Sequence, residues 1–152
     1  MPLNKDLKEF IELLNSKGVE YLVVGGFAVA WHGYPRFTAD IDFLIRPSPA
    51  NADRVVATLS AFGFASLRIT RDDLCQPDKI VQLGVKPNRI DLITSISGVE
   101  FDAAWNSRVS GSVGGVPVAF IGLEELLINK DSTGRAKDQG DSEELRKRQP
   151  KK

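Results

Sequence analysis

Two adjacent glycines, Gly25 and Gly26, follow directly on the short apolar run Val19 to Val24 and lead into Phe27-Ala28-Val29-Ala30-Trp31 and Gly33. A β-branched run that stops at glycines and resumes as an apolar stretch predicts strand, glycine turn and short helix in immediate succession. Glycines in such a turn let the backbone come close to a ligand, and the N–H groups of the opening helix favour a phosphate. A plain tight turn asks for the same φ > 0 freedom, so the pair by itself leaves both readings open.

The surrounding pattern extends this unit. Leu3, Leu7, Phe10, Ile11 and Leu14 recur at spacings of three and four, which predicts an amphipathic helix from Leu3 to Lys17 stopped by Gly18. Thr38 to Ile45 alternates and then turns continuously apolar, a strand with a buried inner end, closed by Arg46-Pro47-Ser48-Pro49. Val55, Val56, Leu59 and Phe62 mark a helix over Ala50 to Phe62. Lys79 to Val85 and Arg89 to Thr94 form a hairpin pattern joined by Lys86-Pro87-Asn88, and Val109 to Ile121 repeats it around Gly114-Gly115. Helices are expected over Leu123 to Asn129 and Arg135 to Lys147, while Ala65 to Gln76 fits no single pattern. Interleaved helices and strands with two hairpins predict an α/β (α+β) fold, a mixed β-sheet flanked by helices. At 152 residues the chain has room for a single domain, expected over 1–145, followed by a basic tail at 146–152 without apolar residues and expected to be disordered.

Charge and cysteine content narrow the function classes. Lys and Arg total 20 and Asp and Glu total 20, so no global field attracts nucleic acid or an anionic membrane. Cys75, the single cysteine, excludes an internal disulfide, and with His32 the single histidine no Cys/His zinc site can be assembled. A reducing compartment follows. MPLNKDLKEF carries charges where a signal peptide needs an apolar run, and no stretch of about 18 apolar residues exists, so the expectation is a soluble cytoplasmic protein without membrane contact.

The chemistry is carried by three aspartates. In a strand, residues i and i+2 face one way with Cα atoms roughly 6.6 Å apart, so Asp40 and Asp42 share a face while Ile41 and Phe43 turn to the core. Two carboxylates about 6 Å apart repel by about 2–3 kcal/mol at an effective dielectric near 20. Divalent cations relieve that repulsion, and the spacing suits two of them; the alternative is a solvated strand end. Asp91 interrupts the apolar run Arg89-Ile90-Asp91-Leu92-Ile93. On a strand beside Asp40 it would reach the same cations or accept a proton from an attacking hydroxyl.

Val24-Gly25-Gly26, thirteen residues, Asp40-Ile41-Asp42 and a later isolated Asp91 together resemble the minimal signature of the polymerase-beta-like nucleotidyltransferase superfamily. Lys130-x4-Arg135-x-Lys137-Asp138-x2-Asp141 is similar to the basic–acidic helix motif of its bacterial AbiEii-type branch, which includes toxin and antitoxin members. The resemblance spans about Val19 to Leu145. It implies a nucleotidyltransferase-like mixed sheet and transfer of NMP from an NTP to a hydroxyl, with release of pyrophosphate. By position, Asp40, Asp42 and Asp91 would be catalytic and would hold Mg²⁺, two ions being expected. Gly25 and Gly26 would cradle the triphosphate, and Lys130, Arg135 and Lys137 would neutralise phosphate charge. The acceptor would be tRNA, a protein or a small molecule, and a toxin or antitoxin chain or a second copy could complete the assembly. Gly-Gly stands where many relatives have Gly-Ser, so phosphate contacts would rest on backbone N–H groups. Gly140 lowers the propensity of the last helix by about 1 kcal/mol relative to Ala. The same residues admit a non-catalytic, antitoxin-like binding module, or a metal-dependent phosphodiesterase.

Other residues carry two readings each. Arg36, four positions before Asp40, either holds a phosphate in its planar fork or neutralises the aspartates. His32 suits a helix-end hydrogen bond better than a general base, and Trp31 and Trp105 suit core or partner contacts better than base stacking. Cys75, beside Asp72 and Asp73, is expected to be inert.

Overall fold

A computed structural model describes residues 5–35, 38, 40–84 and 89–150. The amphipathic stripe becomes α1 (Lys5–Ser16), which buries Leu7, Phe10, Ile11 and Leu14 and ends at Gly18, with φ +70°. β1 (Tyr21–Val24) is buried throughout and passes straight into α2 (Gly25–Trp31). β2 (Ile41–Ile45) follows, then α3 (Pro49–Ala61), whose cap Ser48 accepts a hydrogen bond from the Asn51 N–H and which has Pro49 in its first turn. Asn51 is itself buried, and its amide donates to the Glu20 and Arg46 carbonyls, pinning the start of α3 to the strand ends.

The second half supplies α4 (Arg71–Cys75), β3 (Ile80–Leu83), β4 (Ile90–Ile93), α5 (Phe101–Asn106), β5 (Val109–Val113), β6 (Val116–Phe120), α6 (Leu123–Ser132) and α7 (Ala136–Lys147). The described strands form one mixed sheet in the order β3-β4-β2-β1-β6-β5. β1 runs antiparallel to β2, and β2 runs parallel to β4. The α/β sheet with flanking helices is therefore the observed architecture, and both expected hairpins are present as antiparallel pairs, β3 with β4 and β5 with β6. Its centre holds Phe10, Phe43 and Tyr21, with Phe10 and Tyr21 ring centroids 6.0 and 5.4 Å from that of Phe43. Truncating a buried Phe of this kind costs about 3–5 kcal/mol.

Several expectations change. Residues 65–76 hold a 3₁₀ turn and α4, whose reciprocal box joins the Thr70 hydroxyl and the Asp73 carboxylate to each other's backbone N–H. α5 had no periodic signature, since six residues are too few to display one. The strand expected from Thr38 starts at Ile41, and the Thr38 hydroxyl donates to the Asp40 carbonyl (3.2 Å). α7 reaches Lys147, the expected end of the last helix, and the Gln149 amide donates to the His32 and Leu145 carbonyls. Leu3, the 86–88 connection and Lys151-Lys152 lie outside the described residues. No described helix is long and apolar enough to cross a membrane.

Candidate active site

The parallel register of β2 and β4 sets Asp42 directly opposite Asp91. Both project from strands whose other residues are mostly core, so two carboxylates meet at a partly buried cavity wall. The Asp42 carboxyl is accordingly pushed up to about 7, first by burial, then by the Asp91 carboxylate through charge and a hydrogen bond, then by the charge of Asp40; Lys130 pulls it part of the way back. Its carboxylate tucks under the turn into α2. A Cβ on Gly25 would lie 2.1 Å from Asp42 Oδ2, and Gly25 has φ +66°, so no other residue fits there. A Cβ on Gly26 would meet Thr38 Oγ1 at 2.9 Å. The glycine pair thus serves close approach, and in this structure what approaches is Asp42 and Thr38.

Arg89, two positions before Asp91, is the feature that sequence reasoning left out. Its Nε and Nη2 donate to the two oxygens of Asp91 at 2.8 and 3.1 Å, and its backbone N–H donates to Asp40 Oδ1 at 3.0 Å. Nη2 lies 3.8 Å from Asp40 Oδ2. The same i, i+2 rule that paired Asp40 with Asp42 would have placed Arg89 on the face of Asp91. One guanidinium therefore holds two of the three aspartates, which leaves Asp42 with the least compensation.

A second charged cluster faces this one from α6 and α7. Lys130, buried, reaches Asp138 at 3.0 Å and Asp141 at 3.3 Å. Asp138 also accepts from the Thr133 hydroxyl and from Arg135 Nε, each at 2.7 Å. Burial would raise its pKa, but the hydrogen bonds from Thr133 and Lys130 and the Lys130 charge outweigh it and hold the carboxyl at about 2. Arg135 and Lys137 are exposed.

Between the clusters opens a cavity of about 930 Å³. Gly25, Gly26, Asp40, Asp42, Asp91, Lys130, Arg135 and Lys137 all line it: the glycines open α2, Asp40 and Asp42 lie just before and within β2, Asp91 in β4, Lys130 in α6, and Arg135 and Lys137 at the start of α7. Arg36 lies outside the described residues. Asp78, Ile80, Ser95 and Asn129 extend the wall, and the sequence offered no motif to find them. His32 lies elsewhere, with Nε2 2.7 Å from the Ile121 carbonyl, the helix-end bond expected of it.

The donor set suits a hard divalent cation in kind, since Asp42 is a carboxyl kept from ionising by burial and then by the neighbouring carboxylates, both of which a cation would offset. Among the described residues, however, no three His, Cys, Asp or Glu side chains stand ready as a cluster, and Arg89 grips Asp91. A cation would be held by Asp42 and Asp91, with Asp40 alongside once Arg89 yields.

The same fold recurs in solved structures. The chain is similar to a lincosamide antibiotic adenylyltransferase, LnuA, in its lincomycin-bound form, with TM-score 0.57 and 16% identity over 97% of this chain and 99% of that one. It is also similar to an antigenic nucleotidyltransferase-like protein from Paracoccidioides brasiliensis, with TM-score 0.52 and 16% identity over 95% and 76% of the two chains. No curated protein matches by sequence. A family profile matches residues 3–152, nearly the whole chain, and on it the chain belongs to the family described as nucleotidyl transferase of unknown function (DUF2204).

Proposed function

We propose that the chain transfers a nucleoside monophosphate from an NTP to a hydroxyl group of a small molecule, with divalent metal, in the cytoplasm. The observation that carries this reading is the convergence of Asp40, Asp42 and Asp91 on one wall of a cavity whose facing wall bears Lys130, Arg135 and Lys137. Magnesium, as two ions held by the aspartates, would screen the triphosphate and polarise the phosphorus under attack. Lys130, fixed by Asp138 and Asp141, presents a positive charge toward Asp42, and Arg135 and Lys137 draw the phosphates to the rim. Gly25 and Gly26 offer backbone N–H groups, and Arg36 joins the phosphate contacts on sequence grounds. The acceptor oxygen attacks the α-phosphorus, the bond to the pyrophosphate oxygen breaks, and the hydroxyl proton passes to Asp91 when Arg89 releases it.

A small-molecule acceptor is favoured over tRNA or protein by the balanced charge and by the likeness, over 99% of its length, to an adenylyltransferase of an antibiotic. The basic–acidic pairing of α6 with α7 is what supports kinship with toxin–antitoxin members. The grip of Arg89 on Asp91 favours a second reading, a binding module that keeps the fold without turnover. Incubation with each NTP labelled on the α-phosphate, together with hydroxylated small molecules, tRNA or cell proteins, separates these readings. Label moving to a small molecule only with divalent metal supports the proposal. Label on RNA or protein moves the acceptor, free NMP without acceptor indicates a phosphodiesterase, and nucleotide binding without label transfer indicates the module.

A further inference from the structure

β5 forms one side of the sheet and pairs, among the described strands, with β6 alone. Its sequence, Val109-Ser110-Gly111-Ser112-Val113, reads identically in both directions and carries neither charge nor proline, the devices by which sheet edges normally avoid one another. The connection to β6 is the two-residue turn Gly114-Gly115, with φ +57° and +83°, the signs of a type I′ hairpin. Such a turn closes on a hydrogen-bonded pair, Val113 with Val116, and bonded pairs then alternate at Gly111–Val118 and Val109–Phe120. Ser110 and Ser112 are left with their backbone N–H and C=O directed away from β6.

Those outward groups match a second copy of the same strand. Antiparallel alignment about a two-fold axis at Gly111 sets Ser110 of each copy opposite Ser112 of the other, and the two pairs exchange four backbone hydrogen bonds. The two Gly111 residues meet as a non-bonded pair with Cα atoms about 4.5 Å apart, where the absence of side chains removes any clash. Val109 falls opposite Val113, apolar against apolar.

An independent feature marks the same point. Trp31 is 44% exposed, yet its ring is stacked on Phe120 at 4.6 Å and 6° and lies over Gly111, where a Cβ would come 2.7 Å from it. A rotation axis perpendicular to the sheet keeps both copies' Trp31 rings on one face, flanking the axis. Val109, 37% exposed, lies on that face as well. A large exposed aromatic beside an uncharged edge is the composition of an interface centre. The opposite edge, β3 (Ile80–Leu83), is likewise uncharged and bears the exposed Ile80, but its sequence is not palindromic and Ile80 lines the cavity.

We infer that two copies of the chain associate through β5, in antiparallel register about Gly111, to form one continuous sheet with the paired Trp31 rings at its centre. The partner is a second copy because a palindromic strand satisfies, under a two-fold axis, the isologous rule that each patch must complement itself. Sedimentation equilibrium of the full chain from low micromolar to submillimolar concentration should show species of twice 16.7 kDa. Ser112→Lys, a solvent-facing change that puts charge on the edge, and Ser110→Pro, which removes an outward N–H while sparing the β6 ladder, should each raise the dimer dissociation constant at least about tenfold. Gln82→Lys on β3 should leave it unchanged. Should Ser110→Pro fail to fold, as judged by circular dichroism, Ser112→Lys alone decides. A monomer at every concentration, or a dimer untouched by Ser112→Lys or dissolved by Gln82→Lys, overturns the inference.

Discussion

The two charged clusters that face each other across the cavity are built from similar residues with opposite outcomes. On α6 and α7, Lys130 and Arg135 offset Asp138 and Asp141, Thr133 adds a hydroxyl, and Asp138 titrates at about 2. On β2 and β4, Arg89 holds Asp91 and Asp40 while Asp42 is left to the more distant charge of Lys130, and Asp42 titrates at about 7. The first cluster has its charges satisfied within the chain and acts as a strut joining two helices. The second is short of positive charge, and carboxylates perturbed in this way cluster at functional sites.

Breaking the strut should have the largest effect on stability. Lys130→Met leaves two buried carboxylates without their shared ammonium and should cost about 3–5 kcal/mol in urea unfolding, the range for removing one partner of a buried ion pair. A loss below about 1 kcal/mol would show that solvent already compensates Asp138 and Asp141.

The matching change in the other cluster should act in the opposite sense. Asp42→Asn removes a carboxylate that burial and its neighbours disfavour. In metal-free buffer at pH 8 it should raise stability by roughly 2–4 kcal/mol, from 1.36 kcal/mol per unit of pKa shift, and at pH 4 by little, because Asp42 is then protonated. The same variant should lower NMP transfer by at least about 10²–10³-fold, so that stability and activity part company.

The pH dependence of the unmodified, metal-free protein sharpens the contrast. Asp42, with its pKa raised on folding, costs nothing below about pH 4, where both states are protonated, and its penalty grows to a plateau as pH rises to about 7. Asp138, with its pKa lowered, contributes stability above about pH 4 that is lost as pH falls toward 2. The two slopes have opposite signs, so denaturant midpoints should peak near pH 4 to 5 to the extent that these two groups dominate. In Asp42→Asn the decline from pH 4 to 7 should flatten while the acid limb stays.

The smallest effect is expected at Thr133→Ala, which deletes one of the hydrogen bonds to Asp138. It should cost about 1 kcal/mol and move the acid limb to higher pH, a shift that scanning calorimetry at low pH would read.

The sequence exposed the unsatisfied cluster better than the satisfied one. Asp40, Asp42 and Asp91 stand out because aspartate is depleted in strands and each breaks an apolar run. Glycines after β1 stand out for the same reason, as breakers at a fixed place. Arg89 was overlooked because an arginine beside a strand draws no notice, although its spacing from Asp91 carried the information. Lys130 read as a phosphate ligand from its motif, and its ties to Asp138 and Asp141 depend on how α7 folds back on α6, which no local pattern encodes. Likewise the bond from the Gln149 amide to the His32 carbonyl, far away in sequence, is one that no local pattern encodes. Local period and breakers revealed elements and the acidic signature; pairing across the fold determined which charges are satisfied.

On the proposed function, the cluster around Asp42 is completed by a cation arriving with nucleotide. Calorimetric titration of a non-hydrolysable NTP into the protein, with and without Mg²⁺, tests it most directly. Binding heat should require Mg²⁺ in the wild-type chain and should vanish in Asp42→Asn while that variant remains folded. Equal, Mg²⁺-independent heats from the two proteins, or none from the wild type, would contradict it.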